Sequence, residues 1–319
     1  VFSTNYQFSG KYGKNLMEEV SRYALVGAQI ARDRSDFDII HAHDWLAYPA
    51  GIAAKEMSGK PLVVHVHATE YDRSGESVNF PVFEIERAGM HAADHVVAVS
   101  QLTKNICVRK YGIPPEKVTV LHNAVLDASI ITSTYQKKVP EKIVTFLGRI
   151  TYQKGPEYFV EAAKKVIDRD PNVRFVMAGS GDLLNKMVDR VAELRMGTKF
   201  HFTGFLKGDD VDHMYAISDV YVMPSVSEPF GIAPLEAVRH NTPVIISKQS
   251  GVAEVLNNAI KIDFWDVDAM ADAIFGLLHY QGIARMFTEL GADELKKLKW
   301  EHVAAKLVTV YEKTLAQRA

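Results

Sequence analysis

The sequence predicts an α/β protein of two domains, each built on a doubly wound parallel sheet. Three observations lead there: short apolar, β-branched runs recur in two sets; helix-length amphipathic segments separate most of them; and one polar stretch divides the sets. A run that is apolar at every position marks a strand buried on both faces, and strand–helix alternation marks parallel strands joined by right-handed crossovers. With 319 residues, the chain has the length of about two domains.

The first set of strands is "DIIHAH" (38–43), "LVVHVH" (62–67), "HVVAVS" (95–100) and "VTVLHN" (118–123). The second is "IVTFLGRI" (143–150), "VRFVMAG" (173–179), "KFHFTG" (199–204), "VYVMPS" (220–225) and "PVIIS" (243–247). Helices are expected over 83–93, 101–110, 156–168, 183–195 and 266–278. Between the sets, "DASIITSTYQKKVPEK" (127–142) is polar, carries Pro140 and a charge cluster, and reads as a linker. The expected boundaries are therefore 1–126 for an N-terminal domain and 143–300 for a C-terminal one.

Apolar residues make up 47% of the chain, enough for two cores, and the net charge is −2. Scattered charges of near-zero sum give no general attraction for nucleic acid or an anionic membrane. A single cysteine, Cys107, excludes an intrachain disulfide framework and fits a reducing compartment such as the cytoplasm. No apolar run approaches the ~18–20 residues of a membrane-spanning helix. The first residues, "VFSTNYQFSG", hold neither an initiator methionine nor a signal-peptide pattern.

Ligands of open parallel sheets bind beyond the carboxyl ends of the strands, and the polar motifs lie there. "SVSEPFGIAPLEA" (225–237) follows a strand and holds Glu228 and Glu236 around Gly231. Pro234 suits the first position of a helix with Ala233 as its N-cap, which puts Glu236 at the third position, near free amides. Amides at a helix start hold phosphate, and carboxylates accept hydrogen bonds from vicinal hydroxyls. Phosphate with two polyols describes a nucleotide sugar. The same pattern also fits a plain helix cap at Glu236 and a solvated loop residue at Glu228. "GRITYQKG" (148–155) likewise follows a strand and adds Arg149 and Lys154. A guanidinium and an ammonium together neutralise a diphosphate without a metal; a solvated basic loop is the alternative.

"GR-x-x-x-x-KG" followed about 70 residues later by "E-P-F-G-x-x-x-x-E" resembles the retaining glycosyltransferases of the glycogen-synthase and sucrose-synthase clan, family 4 type. "IHAHDW" (40–45), "VVHVHATEYDRSG" (63–75), "VVAVSQLTKNI" (96–106) and "VLHNAV" (120–125) match the same pattern in order, so the resemblance spans nearly the whole chain.

The resemblance implies the GT-B architecture, two Rossmann-like domains facing across a cleft, with the tail at 301–319 a helix packing back toward the N-terminal domain. It implies that Arg149 and Lys154 hold the diphosphate, that Glu236 binds ribose hydroxyls and Glu228 those of the transferred sugar. Phe230, Gly231 and Ile232 would complete the donor pocket through backbone amides. Phe205 and Leu206 would border the base, with "GSGD" (179–182) contributing less. His67, at a strand end, would contact the donor sugar near the reaction centre and so join the catalytic set of Arg149, Lys154 and Glu228. His65, two residues back on the same strand face, is the lesser candidate. Without the family, His67 reads equally as a buried histidine satisfied by backbone.

Asp44 and Arg73, with Asp72 beside it, are expected on the acceptor side. Trp45 could stack on a sugar or pack in the core. His41 and His43 have no cysteine or glutamate at zinc-like spacing, so no metal site is expected, and no cofactor beyond the nucleotide-sugar substrate.

The expected function is metal-independent, retaining transfer of a hexosyl group from a UDP-, ADP- or GDP-linked donor to a hydroxyl acceptor such as a glucan, oligosaccharide or other glycoside. A sugar-nucleotide epimerase of the same architecture and a non-catalytic nucleotide-sugar binding protein are the alternatives. Two departures from the family stand out. Residues 1–37 lack the usual opening strand and glycine-rich loop, so the N-terminal sheet is expected to be incomplete, and Ala124 stands where the family usually has glycine.

Overall fold

The structure is a computed structural model that describes residues 16–125, 131 and 137–317. The segment before residue 16, on which the reading of an incomplete first sheet partly rests, and most of the expected linker lie outside the described residues. The chain forms two compact units. One holds the described residues up to His122 together with those from Glu301 onward, and the other runs from Asn123 to Trp300.

In chain order, unit one contains α1 (Leu16–Asp33), β1 (Ile40–His43), α2 (Asp44–Ser58), β2 (Leu62–Val66), α3 (Glu70–Ser74), α4 (Phe80–Ala92), β3 (His95–Ala98), α5 (Gln101–Tyr111) and β4 (Val118–Val120). Unit two contains β5 (Lys142–Leu147), α6 (Pro156–Arg169), β6 (Val173–Ala178), α7 (Leu184–Glu193), β7 (Phe200–Gly204), α8 (Asp209–Ile217), β8 (Val220–Met223), α9 (Ala233–Arg239), β9 (Val244–Ser247), β10 (Ile260–Ile262), α10 (Val267–His279) and α11 (Gln281–Leu295). The last helix, α12 (Trp300–Ala316), joins unit one from Glu301 onward.

The strands of unit one pair in the order β1-β2-β3-β4, all parallel. Side chains alternate across a strand, so the sheet has two distinct faces. One carries Ala42, Val64, Val66, Val96 and Ala98 against Tyr48 of α2, Met90 of α4, and Cys107 and Tyr111 of α5. The other carries Val63 and Val97, which with Leu121 pack on Val310, Val303, Leu307 and Tyr311 of α12. Both faces are covered, which is why β2 is buried at every position.

Unit two has six parallel strands in the order β10-β9-β8-β5-β6-β7. The chain winds outward from β5 to β7, then returns past β5 to lay down β8, β9 and β10. Its reversal point therefore lies between β5 and β8, whose register is Val144↔Val220 and Thr145↔Tyr221. The inner strands β8 and β9 are buried throughout, while the edge strand β7 alternates. The core centres on Phe159, whose ring meets Phe175 at 5.5 Å and Phe200 at 5.9 Å, edge to face in both cases. Burying each such ring contributes about 1.5–3 kcal/mol. The amphipathic segments expected at 156–168 and 266–278 are α6 and α10, which pack together on this core.

Cys107 lies inside the first core with no exposed surface. Burial, and after it the negative charges of Asp72 and Glu86, push its thiol up to about 12. A thiol reagent at neutral pH is therefore expected to modify Cys107 only as the unit opens, with full reaction in denaturant. Native-state labelling at the rate of a free thiol would contradict this packing.

Candidate functional site

In unit two the loops after β5 and β8 meet at the reversal point. The β5 loop ends in a single 3-10 turn, Tyr152–Lys154, and then Gly155 at φ 64. A Cβ on Gly155 would lie 2.1 Å from the carbonyl oxygen of Pro224, so the β5 loop presses directly on the end of β8 and only glycine fits. Gln153 fastens the two loops. Its backbone carbonyl accepts from the Val226 amide at 2.9 Å, and its buried side-chain oxygen accepts from Arg149 Nη2 at 3.1 Å.

This contact brings together residues 74 apart in sequence: Lys154 Nζ donates to Glu228 Oε2. Ser225 Oγ donates to the same oxygen at 3.2 Å. Glu228 is 6% exposed, and its main chain is fixed on both sides: its amide donates to Gln249 O and its carbonyl accepts from the Gly251 amide, each at 2.9 Å. Gly231, at φ 97, keeps the turn tight. A Cβ there would come within 3.0 Å of Glu228 Cγ and 3.1 Å of Met223 Cε. The buried Phe230 contributes its carbonyl to the Val252 amide at 2.7 Å, whereas Ile232 is exposed.

The structure corrects the start of α9. Ile232 is the N-cap and already has helical dihedrals, φ −79 and ψ −32, so the helix begins at Ala233 and Glu236 occupies its fourth position rather than its third. Glu236 is instead held from α8: Tyr215 donates its hydroxyl to Glu236 Oε2 at 3.3 Å. Burial first, then Tyr221 and Glu236, raise the Tyr215 phenol well above its ordinary range, so it remains a donor.

A pocket of about 220 Å³ opens at the ends of β5, β6 and β7. Arg149, Gly179, Ser180, Phe205 and Leu206 line it. The start of "GSGD" thus shares one cavity with the two residues expected beside a base.

The expected residues of unit one have other partners. Asp44 opens α2 with φ 58, a left-handed conformation that aspartate tolerates better than most side chains. Its Oδ1 accepts from the amides of His67 at 2.8 Å and Ala68 at 3.4 Å, so it anchors the chain where β2 ends. His67 Nε2 sits 2.9 Å from His43 Nδ1. Arg73 pairs with Glu70 at 2.9 Å and with buried Glu86, which also receives the Tyr111 hydroxyl. Asp72 closes a capping box with Thr69 at the start of α3. Trp45 packs against the core of the sheet. His65 is buried at 7% exposure. Sequence reasoning missed Gln153, Ser225 and Tyr215. Gln153 and Ser225 lay inside the quoted motifs, while Tyr215 carried no local signal.

Residues 129–293 match the family model described as Glycosyl transferases group 1, and residues 14–127 match Glycosyltransferase Family 4. An uncharacterized glycosyltransferase of Methanocaldococcus jannaschii is 30% identical over 300 residues, covering 86% of this chain and 75% of that protein. Sucrose-phosphate synthase from Thermosynechococcus elongatus superposes with a TM-score of 0.81 at 20% identity, over 98% of this chain and 82% of that one. The Anabaena HepE protein, in a crystal structure in complex with UDP-glucose, gives 0.76 at 19% identity, over 90% and 82%. Such neighbours place the fold among the GT-B glycosyltransferases.

The anchoring by Asp44 has a measurable consequence. Asp44→Ala is expected to destabilise the protein by about 1–3 kcal/mol, because two amides lose their acceptor and an ordinary side chain is left at positive φ. Asp44→Asn, which keeps both properties, should recover most of the loss in a thermal melt. Equal melting of wild type and Asp44→Ala would remove the anchoring role.

Proposed function

We propose a reaction from one premise: the chain belongs to the group 1, family 4 glycosyltransferases, and it is a hexosyltransferase. It moves a hexosyl group from a nucleoside diphosphate sugar to a hydroxyl acceptor with retention at the anomeric carbon. The observation that carries this reading is the Lys154–Glu228 pair beside Arg149 at the reversal point of the unit two sheet. In the free protein the ammonium and the carboxylate neutralise each other. The donor separates their duties: Lys154 and Arg149 turn to the diphosphate, and Glu228 accepts from hydroxyls of the transferred sugar.

The remaining groups divide the donor between them. Glu236, held on one oxygen by Tyr215, keeps the other for ribose hydroxyls. The pocket bordered by Phe205, Leu206 and Gly179 takes the base, and main chain at Phe230, Gly231 and Ile232 lines the path between base and sugar. No nucleophile is required. The glycosidic C–O bond to the diphosphate breaks, the acceptor oxygen bonds the anomeric carbon on the same face, and the acceptor proton passes to a leaving phosphate oxygen. Arg149 and Lys154 stabilise the charge that grows on that leaving group, so no divalent ion is needed there. The binding of UDP-glucose by a GT-B neighbour supports a nucleotide-sugar donor.

Two kinds of variant test this reading on the intact chain. Arg149→Ala and Lys154→Ala are expected to lower turnover by about 10²–10³-fold, since each removes a charge used most in the transition state. Glu228→Gln should weaken binding of UDP-, ADP- or GDP-glucose, whichever is the donor, while leaving the free nucleoside diphosphate nearly as tightly bound. The assignment fails if Glu228→Gln abolishes binding of the free diphosphate, or if both cation variants keep full turnover.

A further inference from the structure

Four histidines share one face of the unit one sheet. His41 and His43 lie two apart on β1, and His65 and His67 lie two apart at the end of β2; the register sets His43 directly opposite His65. Their rings form a close ladder, with centroids 4.3 Å apart for His41 and His43, 5.1 Å for His43 and His65, and 4.3 Å for His65 and His67. Leucine or valine at these positions would bury equally well at lower polar cost. His65, more than nine-tenths buried, instead leaves both ring nitrogens without a hydrogen-bond partner, and His41 Nε2 is likewise buried and unpartnered. A buried polar atom left unsatisfied is costly and calls for a ligand.

We propose that His41, His43 and His65 bind a borderline-soft divalent ion such as Zn²⁺, with the hydroxyl of Tyr311 and the imidazole of His67 as its outer supports. Each of the three histidines offers a ring nitrogen, and these nitrogens all lie within 4.8 Å of one another. A tetrahedral zinc with bonds of about 2.0 Å spaces its ligands roughly 3.3 Å apart, so closure by at most about 1.5 Å, within the reach of side-chain rotation, completes the set. The hydrogen bonds already present accommodate the tautomers that an ion needs. His41 Nδ1 meets Tyr311 Oη at 2.6 Å and His43 Nδ1 meets His67 Nε2 at 2.9 Å. With those Nδ1 atoms donating, the Nε2 lone pairs of His41 and His43 are free for the ion, the arrangement in which a second partner orients a metal-bound imidazole. His43 is exposed and gives the ion its entry and an open position for water. The site concerns unit one alone and is independent of the donor residues of unit two.

Untagged, chelator-stripped protein, titrated with zinc chloride against a chelating dye, is expected to take up one ion per chain. Co²⁺ in its place should give the visible absorption of a tetrahedral site. His65→Asn and His43→Gln are each expected to weaken zinc binding more than tenfold, and Tyr311→Phe by about tenfold through the loss of the partner of His41. His43 is exposed, so His43→Gln decides the matter should His65→Asn fail to fold. Absence of stoichiometric zinc uptake, or undiminished uptake by His43→Gln, would overturn the proposal.

Discussion

The parallel pairing of β5 with β8 is the join on which unit two is built. It is the point where the winding of the sheet reverses, so the loops leaving the two strands open to opposite sides and leave a crevice at their carboxyl ends. Arg149, Lys154 and Glu228 reach one place because of it. The contact of Gly155 with the Pro224 carbonyl and the bond from Val226 to Gln153 hold the loops in that crossing, and each depends on the two strands ending at the same level.

The Lys154–Glu228 pair is a weak source of stability and a good device for binding. Taking two charges partly out of water costs energy that their attraction only offsets, while removing one partner leaves a buried charge uncompensated. Ser225 and the fixed main chain on either side of Glu228 supply the extra restraint that keeps the carboxylate in place. A site held this way is formed before any ligand arrives, and under the proposed reaction the ion pair gives both charges a partner until a diphosphate and a sugar replace it. Glu236 follows the same economy of motion, oriented by a buried tyrosine on the neighbouring helix.

Unit one solves a different problem. Its sheet is covered on both faces, yet the face toward α12 carries four imidazoles in place of aliphatic side chains toward the strand ends. Asp44 accepts an unfavourable backbone conformation to hold the amides that follow β2, and Arg73 closes the buried carboxylates of Glu70 and Glu86 beneath α3. Asp44 and Arg73, read from sequence as facing an acceptor, thus also shape the chain that follows β2.

Local pattern alone placed nine of the strands and the helices α4 to α7 and α10, because central parallel strands are apolar at every position and amphipathic helices repeat at their own period. It missed β10, whose three residues, Ile260–Ile262, carry a lysine at the centre and are too short for a pattern. It also singled out Arg149, Lys154, Glu228 and Glu236, since their spacing around glycine and proline is written in two short segments. What it left undecided is whatever depends on register and packing between distant segments. Nothing near Tyr215 announces Glu236, and nothing near His43 announces His65, which the register of β2 on β1 sets opposite it. Strand order is set by which hydrophobic faces and crossovers can be buried together, a property of the whole chain. The chemistry of single residues was therefore legible in the sequence, and their partners were decided only when the sheets formed.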